Sequence, residues 1–380
     1  MVVYVKECFA MNLNTIMPWF KKTINIMPLS SLDTVKTNDI IVISNTDDED
    51  LDSNELSSYN IVIYEDFCEK ISSNIIQEFQ YNYDYYYLKN ALSAATNPNI
   101  TSIISGSSYG IFGVETSLLS NAVNLSLASQ DLFYSMKGIY YACSKNRNIK
   151  NIVLCVGYYY FFSDLSKNQN LFEIQRVSKV YNPLYADTHN CYLLPPSPKN
   201  FLYESDIFDI QNILDIYTQK EYIKGYFHNQ RLRKDHAAKE WDDKSKDWYQ
   251  LSINEKIEAG KQRAAVHNKA IKRKNSLLEN KKLLQDFLKF CDTENINLLL
   301  VVTPSTPYYL NCLLPDFKSK FYDILNEVDG IIHLLDLADD PTFLDEDFND
   351  TDHLNEKGAQ KLTQIIHNTF QEINNVYLKE

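Results

Sequence analysis

The sequence predicts an α/β protein: a three-layer, doubly wound, parallel five-stranded sheet, preceded by a small α/β N-terminal region and interrupted by a helical insertion. Three observations carry that expectation. From residue 100 onward, short β-branched runs alternate with segments of helical periodicity. Two runs, Ile152-Val153-Leu154-Cys155-Val156 and Leu298-Leu299-Leu300-Val301-Val302, are apolar at every position. Strands read that way when helices cover both faces of a parallel sheet. Finally, Gly and Pro number only 9 and 11 in 380 residues, which argues against repeats and long linkers.

Four segments follow in order. Residues 1–95 form the small α/β region, with strands at Val2–Val5, Ile40–Ser44 and Ile61–Tyr64 and a helix-compatible stretch around Met11–Lys22. Its last part has helical spacing and carries Tyr81, Tyr83, Tyr85, Tyr86 and Tyr87, a face suited to packing or, alternatively, to stacking on a sugar. Residues 96–165 begin the core, with strands at Ser102–Ser105, Ala122–Leu125 and Asn151–Tyr158 and helices at 110–120 and 129–146. Residues 166–274 are the insertion, proline-rich at Leu194-Pro195-Pro196-Ser197-Pro198, then charged and helical with Trp241 and Trp248. Residues 275–380 complete the core, with strands at Ile296–Thr303 and Gly330–Leu337 and helices at 275–292, 316–327 and 355–374.

Charge narrows the partners. A net charge of −13 argues against nucleic-acid binding by the general surface. Arg231–Lys282 runs the other way, with fifteen Lys/Arg against eight Asp/Glu. It reads either as a solvated helical arm or as a basic lid over an anionic substrate. Seven cysteines, odd in number and scattered, have no zinc-type spacing and are expected as reduced thiols, with no metal site. No window approaches the roughly 18 apolar residues of a membrane span, and the N-terminus lacks a secretory pattern. A cytoplasmic protein is expected.

Two stretches carry chemistry. Ile103-Ile104-Ser105-Gly106-Ser107-Ser108-Tyr109-Gly110 is a strand entering a tight turn and a helix, in which Gly106 permits the turn. Either Ser107 or Ser108 simply caps the helix, or Ser108 is a nucleophile beside backbone N–H donors. Neither a phosphate loop nor GxGxxG fits these glycines. The second stretch, Asp350-Thr351-Asp352-His353-Leu354-Asn355, precedes a helix with Asn355 as its expected cap. There Asp350 is placed to accept the second N–H of His353, and Asp352 is expected to point elsewhere. Weaker candidates are the acidic run Asp345–Asp350 as a cation site, His267 as a residue facing the cleft, and Thr303–Tyr309 as a polar rim beyond a core strand.

Gly106-Ser107-Ser108 after the first core strand, with Asp350-x-x-His353-Leu-Asn-x-x-Gly-Ala before the last helix, resembles the SGNH (GDSL-type) hydrolase superfamily, in particular its bacterial surface-polysaccharide acyl-modifying members. The resemblance covers about half the chain and implies a flavodoxin-like core, with Ser108 as nucleophile, His353 as base and Asp350 as its orienting partner. It places Gly106, Ser129, Gly157 and Tyr159 around the oxyanion or substrate, Ser129 standing where the family offers a glycine and Tyr159 where it offers an asparagine. Apart from the resemblance, His267 is a further candidate at the substrate, the alternative being a satisfied structural histidine. The implied activity is that of a serine esterase or O-acyltransferase on an acylated carbohydrate or glycan precursor, such as a nucleotide- or lipid-linked sugar. No cofactor is expected beyond an acyl donor such as acyl-CoA if the reaction is a transfer. The alternatives are a catalytically degenerate protein that binds a glycan or a polysaccharide-assembly partner, and an α/β protein that binds an anion at the helix after Gly106.

Overall fold

A computed structural model describes residues 3–5, 26–29, 32–36, 39–43, 58–63, 84–85, 87–119, 121–168, 170–191 and 247–377. The expected helix around Met11–Lys22, the prolines at 195–198, Trp241, Tyr81, Tyr83 and Tyr86 lie outside these residues. The chain divides into two units: Met1–Tyr86 with Ser178–Ala186 and Leu193–Arg231, and Tyr87–Val177 with Asp187–Tyr192 and Leu232–Glu380. The first division thus falls earlier than 95, and the stretch expected as one insertion is shared between both units.

The smaller unit contains a four-stranded parallel sheet of β1 (Val3–Val5), β2 (Ile26–Pro28), β3 (Ile40–Ile43) and β4 (Asn60–Ile63), in the order β2-β1-β3-β4. Tyr4, Val35 and Ile41 form its buried cluster. The sequence reading misses β2 because Pro28 argues against a strand. An edge position tolerates that proline, since no neighbour needs its absent N–H.

The larger unit is built on β5 (Ser102–Gly106), β6 (Ala122–Asn124), β7 (Asn151–Val156), β8 (Asn297–Val302) and β9 (His333–Asp336). All five are parallel, in the order β6-β5-β7-β8-β9. Six helices of this unit are labelled here: α1 (Ser108–Gly113), α2 (Leu132–Lys145), α3 (Ile253–Asn268), α4 (Lys274–Glu294), α5 (Pro315–Glu327) and α6 (Glu356–Tyr377). Ile104, Val153, Cys155, Leu299 and Val301 share a core cluster with Leu362, Ile366 and Phe370 of α6. The adjacent Ser105 bonds instead to the Ser135 carbonyl of α2. Successive strand residues point to opposite faces, so helices cover both, which is why β7 and β8 are apolar throughout.

Sequence signals explain the helices that matter for the site. Ser252 and Glu255 form a reciprocal capping box at the start of α3, whose buried stripe is Lys256, Gly260, Ala264 and His267. Asp131 caps α2 by accepting from the Tyr134 N–H. Asn355 accepts from the Gly358 N–H at 3.0 Å and caps α6, as expected. With every strand parallel, Gly106, Asn124, Val156, Val302 and Asp336 end on one side of the sheet, where ligands of such folds gather.

The tyrosines in the described part of the 81–87 stripe are core residues. Tyr85 and Tyr87 are buried, and the Tyr87 hydroxyl donates to the Asn124 carbonyl. Thr303–Tyr309 is not the polar rim it was expected to be. Thr303, Ser305, Thr306 and Tyr309 are buried, with Thr306 N–H and Oγ1 both donating to the Thr351 carbonyl at 3.0 and 2.8 Å. Thr306 thereby pins the 350–353 loop. Cys143, Cys155, Cys191, Cys291 and Cys312 are free thiols. No helix among the described residues is long and apolar enough to cross a membrane.

Candidate active site

The turn after β5 separates the two serines. Gly106 sits at φ +126°, and a Cβ there would stand 2.1 Å from the Cys155 carbonyl oxygen, so the turn requires glycine. Ser107 is the N-cap of α1, accepting from the Tyr109 N–H. Ser108 is left free for other work. Its Oγ lies 2.8 Å from His353 Nε2, although the two residues are 245 positions apart.

His353 Nδ1 faces Asp350, at 2.9 Å from Oδ2 and 3.1 Å from Oδ1. Asp350 Oδ1 also accepts from the backbone N–H groups of Asp352 and His353, which folds the carboxylate back over the loop. That contact makes Nδ1 the N–H and leaves Nε2 to face the hydroxyl. His353 is 10% exposed in its side chain and packs on the rings of Phe112 and Tyr109. Burial opposes its protonation, but the Asp350 and Asp352 carboxylates outweigh it and hold the imidazole above its usual pKa.

Asp352 does not point elsewhere as expected: its Oδ1 lies 3.8 Å from His353 Nδ1, and the carboxylate also joins a second network. Its side chain is 1% exposed and accepts from Arg263 Nε at 2.9 and 3.0 Å and from the Tyr109 hydroxyl at 2.9 Å. Burial works against this carboxylate, yet the Arg263 and His353 charges hold its pKa below the ordinary value. His267 lies in the same region, stacked on Tyr159 at 3.9 Å with Nδ1 2.6 Å from the Tyr309 hydroxyl. Burial first, and then the Arg263 charge, push its pKa down to about 3, so this imidazole is neutral. Burial pushes the Tyr159 phenol up to about 12.

The residues assigned to the oxyanion divide. Ser129 adopts the left-handed conformation at φ +56° and lines the cleft with Ser108. Neither backbone N–H, of Ser108 or of Ser129, is engaged by another described residue. Gly106 contributes through its carbonyl, which accepts from Gln130 Nε2 at 3.0 Å and ties the two turns together. Gly157 does not line the cleft; it backs the Tyr109 ring, where a Cβ would come within 2.9 Å of Cε2. Tyr159 and His267 do line it.

The cleft itself measures about 630 Å³, and all its walls belong to the larger unit. Beyond Ser108 it is bounded by Arg263, Lys269, Lys272 and Arg273, with Lys167 and Asn168 opposite in sequence. Among the described residues, two clusters bring three potential metal donors within 4.8 Å: Asp350, Asp352 and His353, and Asp131, Asp164 and His189. The first is the Asp350–His353 pair with the neighbouring Asp352. In the second, Asp131 already accepts from the Tyr134 and Leu165 N–H groups, and burial pushes its carboxyl up to about 6. The acidic run is no cation site of its own, because Asp345, Glu346 and Asp347 pair with Lys256, Lys357 and Lys361.

The sequence reading passed over Arg263, Asp352 as a structural anion, and Tyr109. One signal was available: positions 256, 260, 264 and 267 of α3 recur at helical spacing although two of them are ionisable. A buried face with polar members marks a helix packed on polar groups. No family model matches the chain, and no curated protein matches it.

Proposed function

We propose that the chain is a serine esterase or O-acyltransferase of the SGNH type, acting on an acylated carbohydrate or glycan precursor. The observation that carries this reading is the 2.8 Å approach of Ser108 Oγ to His353 Nε2, with Asp350 on the far nitrogen. Ser108 Oγ attacks the ester carbonyl as His353 takes its proton. The oxyanion of the tetrahedral intermediate accepts from the Ser108 and Ser129 N–H groups. His353 then returns the proton to the departing alcohol, leaving an acyl-serine. Water, or a hydroxyl of an acceptor sugar, attacks that ester and restores Ser108. If the reaction is a transfer, an acyl-CoA donor supplies the acyl group. The strand order, with the first strand of the sheet between the second and third, also suits a flavodoxin-like core.

The test is labelling with a fluorophosphonate probe, which captures an activated serine. The expected result is one adduct on Ser108 in the full-length protein and none in Ser108→Ala. An unlabelled native protein, or labelling that persists in Ser108→Ala, defeats the proposal.

A second reading rests on one feature. Gly157 is followed by Tyr158-Tyr159-Tyr160, so a tyrosine stands at the sequence position where the family offers an asparagine amide. Loss of one such donor removes about 2.7–4 kcal/mol of transition-state stabilisation. A degenerate protein that binds a glycan or an assembly partner through the same cleft is the consequence if the serine proves inert.

A further inference from the structure

We propose that the wall of the cleft formed by α3 and the residues after it is an anion subsite, which takes the pyrophosphate portion of a substrate or donor. The reaction assigned to Ser108 says which end of the ligand reacts; the anion site stands on separate observations.

The first is how Arg263 is held. A guanidinium has five N–H donors. Only Nε is used, donating to both oxygens of buried Asp352, which is itself fixed by the Tyr109 and Thr351 hydroxyls. No other described residue takes up the Nη donors, and Arg263 lines the cleft at 34% side-chain exposure. The result is a guanidinium held through Nε, with its Nη groups left unbonded by any described residue, in the wall of the same cavity as Ser108. A guanidinium fork matches the paired oxygens of phosphates and carboxylates. The cost of anchoring it has already been met by Asp352, so a ligand need not order it.

The second is the outer wall. Lys269, Lys272 and Arg273 follow α3, and Lys167 comes from the loop after β7. None of the four has a side-chain hydrogen bond or ion pair with a described residue. Two carboxylates also line the cleft, and both are engaged, Asp164 in part by the Arg273 charge. Asp164 accepts from the Ser166 N–H, and Glu173 lies 3.5 Å from Arg176. Apart from Arg263, which Asp352 balances, four cations against two carboxylates in one cavity is an unusual local balance for a chain of net charge −13. A solvated charged face explains Lys261 and Lys274, which do not line the cavity, but not cations gathered around a concave wall. One phosphate is too little charge for this wall, whereas a pyrophosphate offers oxygens to the fork and to the outer cations together.

Two sources bring a pyrophosphate to an acyl-transferring serine: a nucleoside-diphosphate sugar as the acylated substrate, or a coenzyme A thioester as the acyl donor. The test is isothermal titration of full-length Ser108→Ala with inorganic pyrophosphate, uridine diphosphate and coenzyme A, at two salt concentrations. Binding that weakens with salt is expected. The triple variant Lys269→Gln, Lys272→Gln, Arg273→Gln is expected to lose about tenfold or more in affinity with an unchanged melting temperature. Arg263→Lys keeps the charge but removes the fork, and is expected to weaken binding as well. Tighter binding of uridine diphosphate than of coenzyme A assigns the subsite to the sugar carrier, and the reverse order assigns it to the donor. Absence of binding by all three probes, or affinity fully retained in the triple variant, overturns the subsite. Because the reacting hydroxyl is already removed, these outcomes are independent of whether Ser108 takes the fluorophosphonate label.

Discussion

In the proposed reaction His353 is the base, and its environment sets how activity should vary with pH. As a base it must be neutral, and the Asp350 and Asp352 carboxylates hold its pKa above the usual 6.5 of a histidine. Ester turnover should therefore rise with pH through a single acid limb centred above 6.5. The sign for stability is opposite: the imidazolium's contribution is complete below the unfolded pKa and is lost as pH rises through the folded one. Asp350→Asn removes one supporting charge and offers Nδ1 a donor as readily as an acceptor. It should lower kcat by on the order of 10⁴-fold and move the acid limb downward. A pH–rate profile of native and variant protein checks both; an acid limb that stays in place would mean that Asp350 does not set the pKa of His353. His267 needs no such role, since it is held neutral and bonded to Tyr309.

At the scale of elements, the site depends on how closely β5 approaches β7. Gly106 aligns with Cys155 in the register, and the space over its α-carbon is filled by the Cys155 carbonyl. Gly106→Ala must push the strands apart and strain a positive φ, a cost of about 3 kcal/mol. Thermal denaturation of the variant should show that loss, and a melting temperature equal to that of the native protein would refute the packing argument. Much of this region was legible in the sequence for physical reasons. β7 and β8 announce themselves because burial on two faces leaves no polar position, and His353 because Asn355 marks the start of a helix. Local pattern alone lets either Ser107 or Ser108 cap the helix, and the fold gives that place to Ser107. The failures have reasons too. Thr303, Ser305 and Thr306 are buried polar residues, Thr306 satisfying the Thr351 carbonyl, which no pattern distinguishes from a solvent-facing rim. Arg263 was missed because charge on a helix ordinarily means exposure, and its partner Asp352 lies 89 positions away.

On the scale of the whole molecule, the larger unit joins residues that are far apart in the chain. β7 and β8 pair along their whole length, from Asn151 with Asn297 to Val156 with Val302, and Ser108 and His353 meet across 245 positions. Everything between them can vary in length provided both ends return to the sheet, because the entropy of closing a loop grows slowly with its size. The centre of the sheet should then be the last part to open. Ile152–Val156 and Leu299–Val301 are fully buried, whereas the residues of β6 and the outer strand β9 are partly exposed. Native-state hydrogen exchange should find the amides of β7 and β8 exchanging only through global unfolding. Those of β6 and β9 should exchange through smaller openings of lower free energy. The consequence for the site is specific. Ser108 leaves β5, beside the protected centre, whereas His353 sits on a loop beyond the edge strand β9. If β9 opens independently, the 2.8 Å contact between them breaks while the nucleophile's strand stays folded, so β9 protection should track activity across a denaturant series. Activity lost only at the global transition, with β9 exchanging as slowly as β7, would show instead that the sheet opens as one cooperative body.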